Sequence, residues 1–247
     1  MGLDPRERAF AHELSYGVTR LRSRLDHLLA RRIHRGIESV EPRLLEILRL
    51  GAYQLLYMDG VPAYAAVSET VEQVRSVVGP KPAGFANAVL RRVREDGDGP
   101  DRFPDPARDP EAYLATWGSH PAWLVRRWLD RWDLDAVRRL VEAGNRRPSV
   151  HLVPLEATPA EAVERLGREG IEASEVGRGT GCVALRDSGR VVQALAVAAP
   201  AIVQDPAANL VARYADVGRC AVVADLCAAP GGKILALSDG PSTLIAA

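Results

Sequence analysis

Hydrophobic periodicity changes character once along this chain, near Ser149, and that change limits what it can fold into. Before it, apolar residues recur at spacings of three and four, the mark of helices packed on one face. After it, they alternate or come in short runs, as strands do. Phe10, Leu14, Val18, Leu21, Leu25 and Leu28 form one helical stripe, opened by Asp4-Pro5. A second helix starts near Pro42 and carries Leu44, Leu48, Gly51 and Leu55. A third runs from Pro62 through Val67, Val71, Val74 and Val78 to the Gly79-Pro80 stop, and a fourth holds Phe85, Val89 and Val93. Four helices with short connections predict a small bundle over residues 1–97.

The segment 98–110, with Asp98-Gly99-Pro100, Pro104, Pro106 and Pro110, has no periodicity and reads as a linker. Helical stretches follow at about 111–117 and 121–144. Pro121 opens the second, where its missing N–H costs nothing, and Trp123, Trp128 and Trp132 are expected to share a packed face. From Ser149, Val150, Leu152 and Leu155 suggest a strand, and Thr158-Pro159-Ala160-Glu161 is a capping-box sequence for a helix to about Glu169. Short strands are expected near 171–176 and 182–186. The expected order is therefore an all-α bundle, a small α+β module over 111–200, and the start of an α/β domain over 201–247. That last part opens with a strand at Ala201-Ile202-Val203-Gln204 and a helix at Asp205-Pro206.

One further segment carries chemistry. The apolar run Ala221-Val222-Val223-Ala224 reads as a buried parallel strand and leads into Asp225-Leu226-Cys227-Ala228-Ala229-Pro230-Gly231-Gly232-Lys233. A loop from a strand's carboxyl end into a helix start offers unpaired N–H groups and the positive end of a helix dipole, which suit an anionic group. Gly231 and Gly232 allow close approach of a ligand to the backbone. The loop has neither P-loop spacing nor a GxGxxG fingerprint, so a small zwitterionic cofactor such as S-adenosylmethionine fits better than ATP or NAD. A plain Gly-Gly turn is the structural alternative.

These nine residues resemble the cofactor motif of the RNA cytosine-C5 methyltransferases. The upstream sequence is similar to their RsmB (Sun-type) branch, which acts on 16S ribosomal RNA. Further blocks carrying the resemblance are Tyr53-Gln54-Leu55-Leu56-Tyr57 with Val61-Pro62 and Ala65-Ala66-Val67, and Gly84 to Arg91. His120-Pro121-Ala122-Trp123-Leu124-Val125 and Val203-Gln204-Asp205 complete the set. The resemblance implies a NusB-like helical domain, then an RNA-binding α+β module, then a Rossmann-like methyltransferase domain. It implies that Asp225, Cys227, Ala228, Ala229, Pro230, Gly231, Gly232 and Lys233 hold S-adenosylmethionine. It also implies a covalent mechanism through a cysteine in a later Pro-Cys or Thr-Cys segment.

No segment of that kind occurs here. Cys182, Cys220 and Cys227 all lie in other contexts, and the family's ribose-binding acid belongs just beyond Thr243–Ala247. The catalytic residues are thus expected beyond Ala247, in a domain that this chain enters without completing, and the chain alone is expected to be inactive. Ile234 stands where the family has a hydroxyl residue, and Val153-Pro154-Leu155 where Arg-Val-Asn is common. The other class of reading is a NusB-like RNA-binding or antitermination module without an enzyme, against which the Asp225–Lys233 loop argues.

Charge sharpens the partner expectation. The whole chain balances 32 basic against 32 acidic residues, yet residues 1–95 hold 15 against 11. All but two of the basic residues are arginines, which make planar, bidentate phosphate contacts. Arg146 and Arg147, which match a family segment, and Arg91 and Arg92 are candidate contacts to ribosomal RNA. Solvated helix faces are the alternative. The five histidines have no metal-ligand spacing, so no metal is expected. The charged N-terminus, three unpaired-looking cysteines and absence of a long apolar run predict a cytoplasmic, membrane-free protein; a monomer is the expected state, although no residue pattern fixes it.

Overall fold

The structure, a computed structural model, describes residues 4–177, 179–215, 217, 222–237 and 243–247. The chain divides into two compact units, Met1–Arg146 and Arg147–Ala247.

The first unit is helical. It contains α1 (Pro5–Arg20), α2 (Arg22–Ala30), α3 (Pro42–Tyr57), α4 (Ala63–Val77), α5 (Ala83–Asp96), α6 (Pro110–Thr116), α7 (Ala122–Leu129) and α8 (Leu134–Asn145). The stripe expected as one helix is two. Leu21, at φ −100° and ψ 20°, leaves helical geometry and caps both α1 and α2. The apolar face continues across this break, so Val18, Leu25 and Leu29 still share a core with Leu48, Val74 and Leu90. Phe10 lies outside that core and is exposed. Two glycines set the closest approaches. A Cβ on Gly17 would run into the Tyr53 ring, and one on Gly51 would stand 2.8 Å from Thr70 Cγ2.

A charge is buried in this bundle. Arg49 on α3 is only 4% exposed. Its guanidinium forks onto Asp26 at 2.6 and 2.8 Å and reaches Glu46 at 2.5 Å, so the buried cation is paired.

The segment 98–110 is not a free linker. His27 Nε2 lies 2.9 Å from the Arg102 carbonyl and its ring stacks on Phe103. The Arg24 guanidinium bonds the Trp117 carbonyl and sits against the Phe103 and Trp117 rings. Leu28, Phe103, Leu114, Val125, Val137 and Val141 then form a second apolar cluster. Helices α6 to α8 therefore pack with the bundle, and the compact division falls at Arg146–Arg147 rather than within 98–110.

The expected 121–144 helix is also broken, because Asp133 accepts from Ala136 N–H at 2.7 Å and starts α8 anew. This puts Trp132 in the intervening turn. Trp128 packs into the cluster, whereas Trp123 is 62% and Trp132 49% exposed, so the three do not share one packed face.

The second unit opens with β1 (Val150–Pro154), α9 (Pro159–Arg168), β2 (Ala173–Val176), β3 (Cys182–Leu185), α10 (Val191–Val197) and β4 (Ala201–Val203). The capping box forms as expected, with Thr158 accepting from Glu161 N–H at 3.3 Å and Glu161 accepting from Thr158 N–H at 2.8 Å. The four strands make one antiparallel sheet in the order β2-β3-β1-β4. Leu152, Leu166, Ile171, Val183, Leu185 and Ala194 form its core. This is the β-α-β-β-α-β arrangement of a ferredoxin-like module. Strand β4 pairs Leu152 with Val203 and Pro154 with Ala201. It closes this sheet, instead of opening the next domain as its sequence position suggested.

Helix α11 (Pro206–Ala215) follows, then β5 (Val222–Asp225), α12 (Gly232–Ala236) and β6 (Thr243–Ala246). Strands β5 and β6 pair in parallel, with Asp225 opposite Ala246. Their connection through α12 has the strand-helix-strand pattern of an α/β domain.

Candidate cofactor loop and its relatives

Residues 225–233 lie where the sequence places them, between the carboxyl end of β5 and the start of α12. Asp225 anchors the turn twice. Its side chain accepts from Cys227 N–H at 3.0 Å, and its carbonyl accepts from Ala247 N–H at 3.0 Å. Ala228 N–H donates to the Ala247 carbonyl at 3.2 Å, tying the loop to the end of β6. Gly231 takes φ +102°, a conformation costly for any residue with a Cβ, and its N–H returns to the Ala228 carbonyl at 2.6 Å. The loop is thus a tight, exposed arch.

Gln204, the residue after β4, meets this arch. A Cβ on Gly232 would stand 3.2 Å from Gln204 Nε2. Gln204 Oε1 is buried and has no hydrogen-bond partner among the described residues. A buried acceptor without a donor is costly unless something supplies one. The missing Cβ and the open acceptor together fit a small ligand bearing N–H or O–H groups, as S-adenosylmethionine does. Sequence reading placed Gln204 in a matching block but gave it no role, since only tertiary folding brings it to Gly232.

Of the cysteines, Cys182 is buried on β3. Its thiol donates to the Thr180 carbonyl at 3.3 Å, and burial pushes its pKa up. Cys227 is exposed within the arch. Cys220 lies outside the described residues. Among the described residues no group of three His, Cys, Asp or Glu is placed to hold a metal ion. No described helix is long and apolar enough to cross a membrane.

The candidate RNA contacts separate. Arg91 lines a groove between α4 and α5, whereas Arg92 borders a different cavity of about 500 Å³ with Arg32, Arg35 and Phe85. Arg146 and Arg147 are both exposed, Arg146 as the C-cap of α8.

Comparison with known proteins matches both folded parts. Residues 1–95 match the sequence model of the NusB family, and residues 120–192 match the ferredoxin-like domain described as RsmF/B-like methyltransferase. The chain joins a NusB domain to an RsmF/B ferredoxin-like domain.

Relatives align along nearly all of this chain. A Bacillus subtilis protein named probable ribosomal RNA small subunit methyltransferase B is 32% identical, over 94% of this chain and 51% of its own length. Ribosomal RNA small subunit methyltransferase B of Xanthomonas campestris is 35% identical, over 93% and 50%. The chain spans about half the length of these curated relatives. The crystal structure of PH0851 shares the fold at a TM-score of 0.65 with 18% identity, over 94% of this chain and 52% of that one. The NusB domain accounts for the bundle core around Leu48 and Leu90. The RsmF/B ferredoxin-like match overlaps the antiparallel sheet except β4.

Proposed function

We propose that this chain supplies the NusB domain, the ferredoxin-like module and the cofactor loop of an enzyme that methylates C5 of cytosine in small-subunit (16S) ribosomal RNA. The compact division falls at Arg146–Arg147, so helices α6 to α8 go with the NusB bundle and β4 with the module's sheet. The observation that carries this reading is the Asp225–Lys233 arch with Gln204 against Gly232. S-adenosylmethionine, when bound, supplies the methyl group. The backbone from Cys227 to Lys233 would hold it, Asp225 fixes the arch, and Gln204 Oε1 offers an acceptor. The relatives' names support ribosomal RNA as the partner, and the protein is read as a cytoplasmic monomer.

None of the described cysteines suits attack on a base. The Cys182 thiol is buried and held protonated by its surroundings, and Cys227 belongs to the arch. Residues 1–247 therefore bind cofactor without transferring methyl groups. Equilibrium dialysis with S-adenosylhomocysteine tests the first half: the chain binds, and Gly232→Val weakens binding at least tenfold while its melting temperature holds. Absent binding, or binding indifferent to Gly232→Val, would reject the loop assignment. Transfer of labelled methyl groups to ribosomal RNA by this chain would overturn the second half.

A further inference from the structure

A cavity of about 430 Å³ lies within the second unit, between the loop after β1, helix α11 and the end of α12, and none of the roles described above uses it. Two opposite charges line it. Glu156 comes from the loop, and Arg213 comes from α11, one turn beyond Asn209 on the same helix face. They are the only charged side chains among the described lining residues, and neither makes a hydrogen bond or ion pair with any described residue. The guanidinium has a prepared place, because a Cβ on Gly181, at φ +69°, would run into it. Asn209 is 1% exposed. Its Nδ2 donates to the Thr180 carbonyl, which leaves Oδ1 buried and without a donor among the described residues. Leu155 and Leu235, both partly exposed, give the cavity two apolar walls.

Charge and size decide what fits. A plain anion meets Glu156 and a plain cation meets Arg213, so the occupant carries an anionic group at one end and hydrogen-bond donors at the other. At about 30 Å³ per water the cavity has room for about fourteen waters. That is near the bulk of a nucleotide, whereas an amino acid would leave most of it to solvent. We propose that the cavity takes a guanine nucleotide, with Arg213 forked onto the phosphate and Glu156 on the Watson–Crick edge of the base. Guanine alone among the four RNA bases shows a carboxylate two adjacent donors, its ring N–H and its amino group. Adenine and cytosine set a ring acceptor beside the amino group, and uracil sets two carbonyls beside its N–H. Each of these turns a lone pair on Glu156. Leu155 and Leu235 flank the ring, and Asn209 Oδ1 gains a donor. A free mononucleotide and one guanosine of an RNA strand carry the same groups. The strand as source rests on the ribosomal RNA reading above, and the cavity's preference for guanine does not.

The test is isothermal titration of the 247-residue chain with the four ribonucleoside monophosphates and with guanosine. Beside it, anisotropy follows a labelled uridine dodecamer with and without one central guanosine. Guanosine monophosphate binds, and the other three bind about 5- to 150-fold more weakly, the discrimination that a bidentate base contact supplies. Glu156→Gln, whose amide offers one acceptor and one donor, weakens guanosine monophosphate by a similar factor and strengthens adenosine monophosphate. That gain cannot come from a folding loss. Arg213→Gln brings guanosine monophosphate down to the affinity of guanosine. Arg165→Gln, at an exposed position of α9 outside the cavity, changes neither. The central guanosine tightens dodecamer binding, and Glu156→Gln removes the gain. Equal affinity for the four nucleotides, or a guanine preference that survives Glu156→Gln, would overturn the proposal. Competition by S-adenosylhomocysteine would put the nucleotide in the arch and overturn it too. Binding of guanosine monophosphate without a gain in the dodecamer supports the cavity and makes the free nucleotide its ligand, so a failure of the RNA reading removes only the dodecamer's gain.

Discussion

The NusB bundle and the arch at 225–233 are held by different kinds of force. In the bundle, Leu25, Leu29, Leu48 and Leu90 are wholly buried and meet across three helices. In the arch, β5 and β6 pair in parallel, a geometry normally covered on both faces. Yet Val222 is 59%, Leu226 77% and Ile245 48% exposed. Its shape comes from a few backbone hydrogen bonds around Asp225 and Ala247 and from the glycine conformation at Gly231. Packing specifies the first region, and local hydrogen bonding the second. Substitutions at equivalent apolar residues should therefore differ greatly in cost.

The largest expected loss is for Leu48→Ala. It removes a side chain with no exposed surface and leaves a cavity, costing about 2–5 kcal/mol in urea unfolding. Arg49→Met comes next, at about 2 kcal/mol. It strips the fork from Asp26, which keeps some contact with solvent and so is not left as a fully buried lone charge. If Arg49→Met instead stabilises the chain, the ion pair is replaceable by apolar packing and the bundle depends still more on its leucines. In the second unit, Thr158→Ala removes the α9 cap and should cost about 1 kcal/mol by thermal melting.

A smaller effect depends on pH. Hydrogen bonds from Arg32 hold the Asp96 carboxyl below the usual carboxylate range. The folded chain thus keeps this carboxylate charged to lower pH than the unfolded chain does. Its stabilisation is complete above about pH 4, the unfolded value, and disappears as pH falls through the lower folded value. The urea midpoint should decline from pH 5 to pH 3, with a shallower decline in Asp96→Asn. Equal declines would show that the pair adds nothing to the bundle.

What could be read from sequence follows the same divide. The long stripes on α3, α4 and α5 and the Thr158–Glu161 box are local patterns, and each formed where its residues predicted. The arch at 225–233 was legible because glycine spacing after a strand constrains the backbone directly. What failed depended on partners distant in the chain. The 98–110 segment looks like a linker until His27 and Arg24 of α2 bind Arg102 and Trp117. Strand β4 is legible as a strand, but nothing in Ala201–Val203 says that β1 is its neighbour. Gln204 was missed for the same reason, since its place against Gly232 exists only once two loops meet.

The smallest expected effect, at Leu226, is the sharpest test of the comparison. Its side chain points largely into water, so Leu226→Ala loses little buried surface and should change stability by no more than about 0.5 kcal/mol. The same chemical change at Leu48 removes the same atoms from a closed core. If Leu226→Ala melts as low as Leu48→Ala, the arch is packed against something and its hydrogen bonds are not what shapes it. If it melts like the parent chain and still binds S-adenosylhomocysteine, the arch is specified by Asp225 and the glycines. Gly232→Val then completes the argument, because it adds a Cβ against Gln204 with little buried surface at stake. A loss of ligand without a loss of stability is what a loop built for binding, rather than for folding, should give.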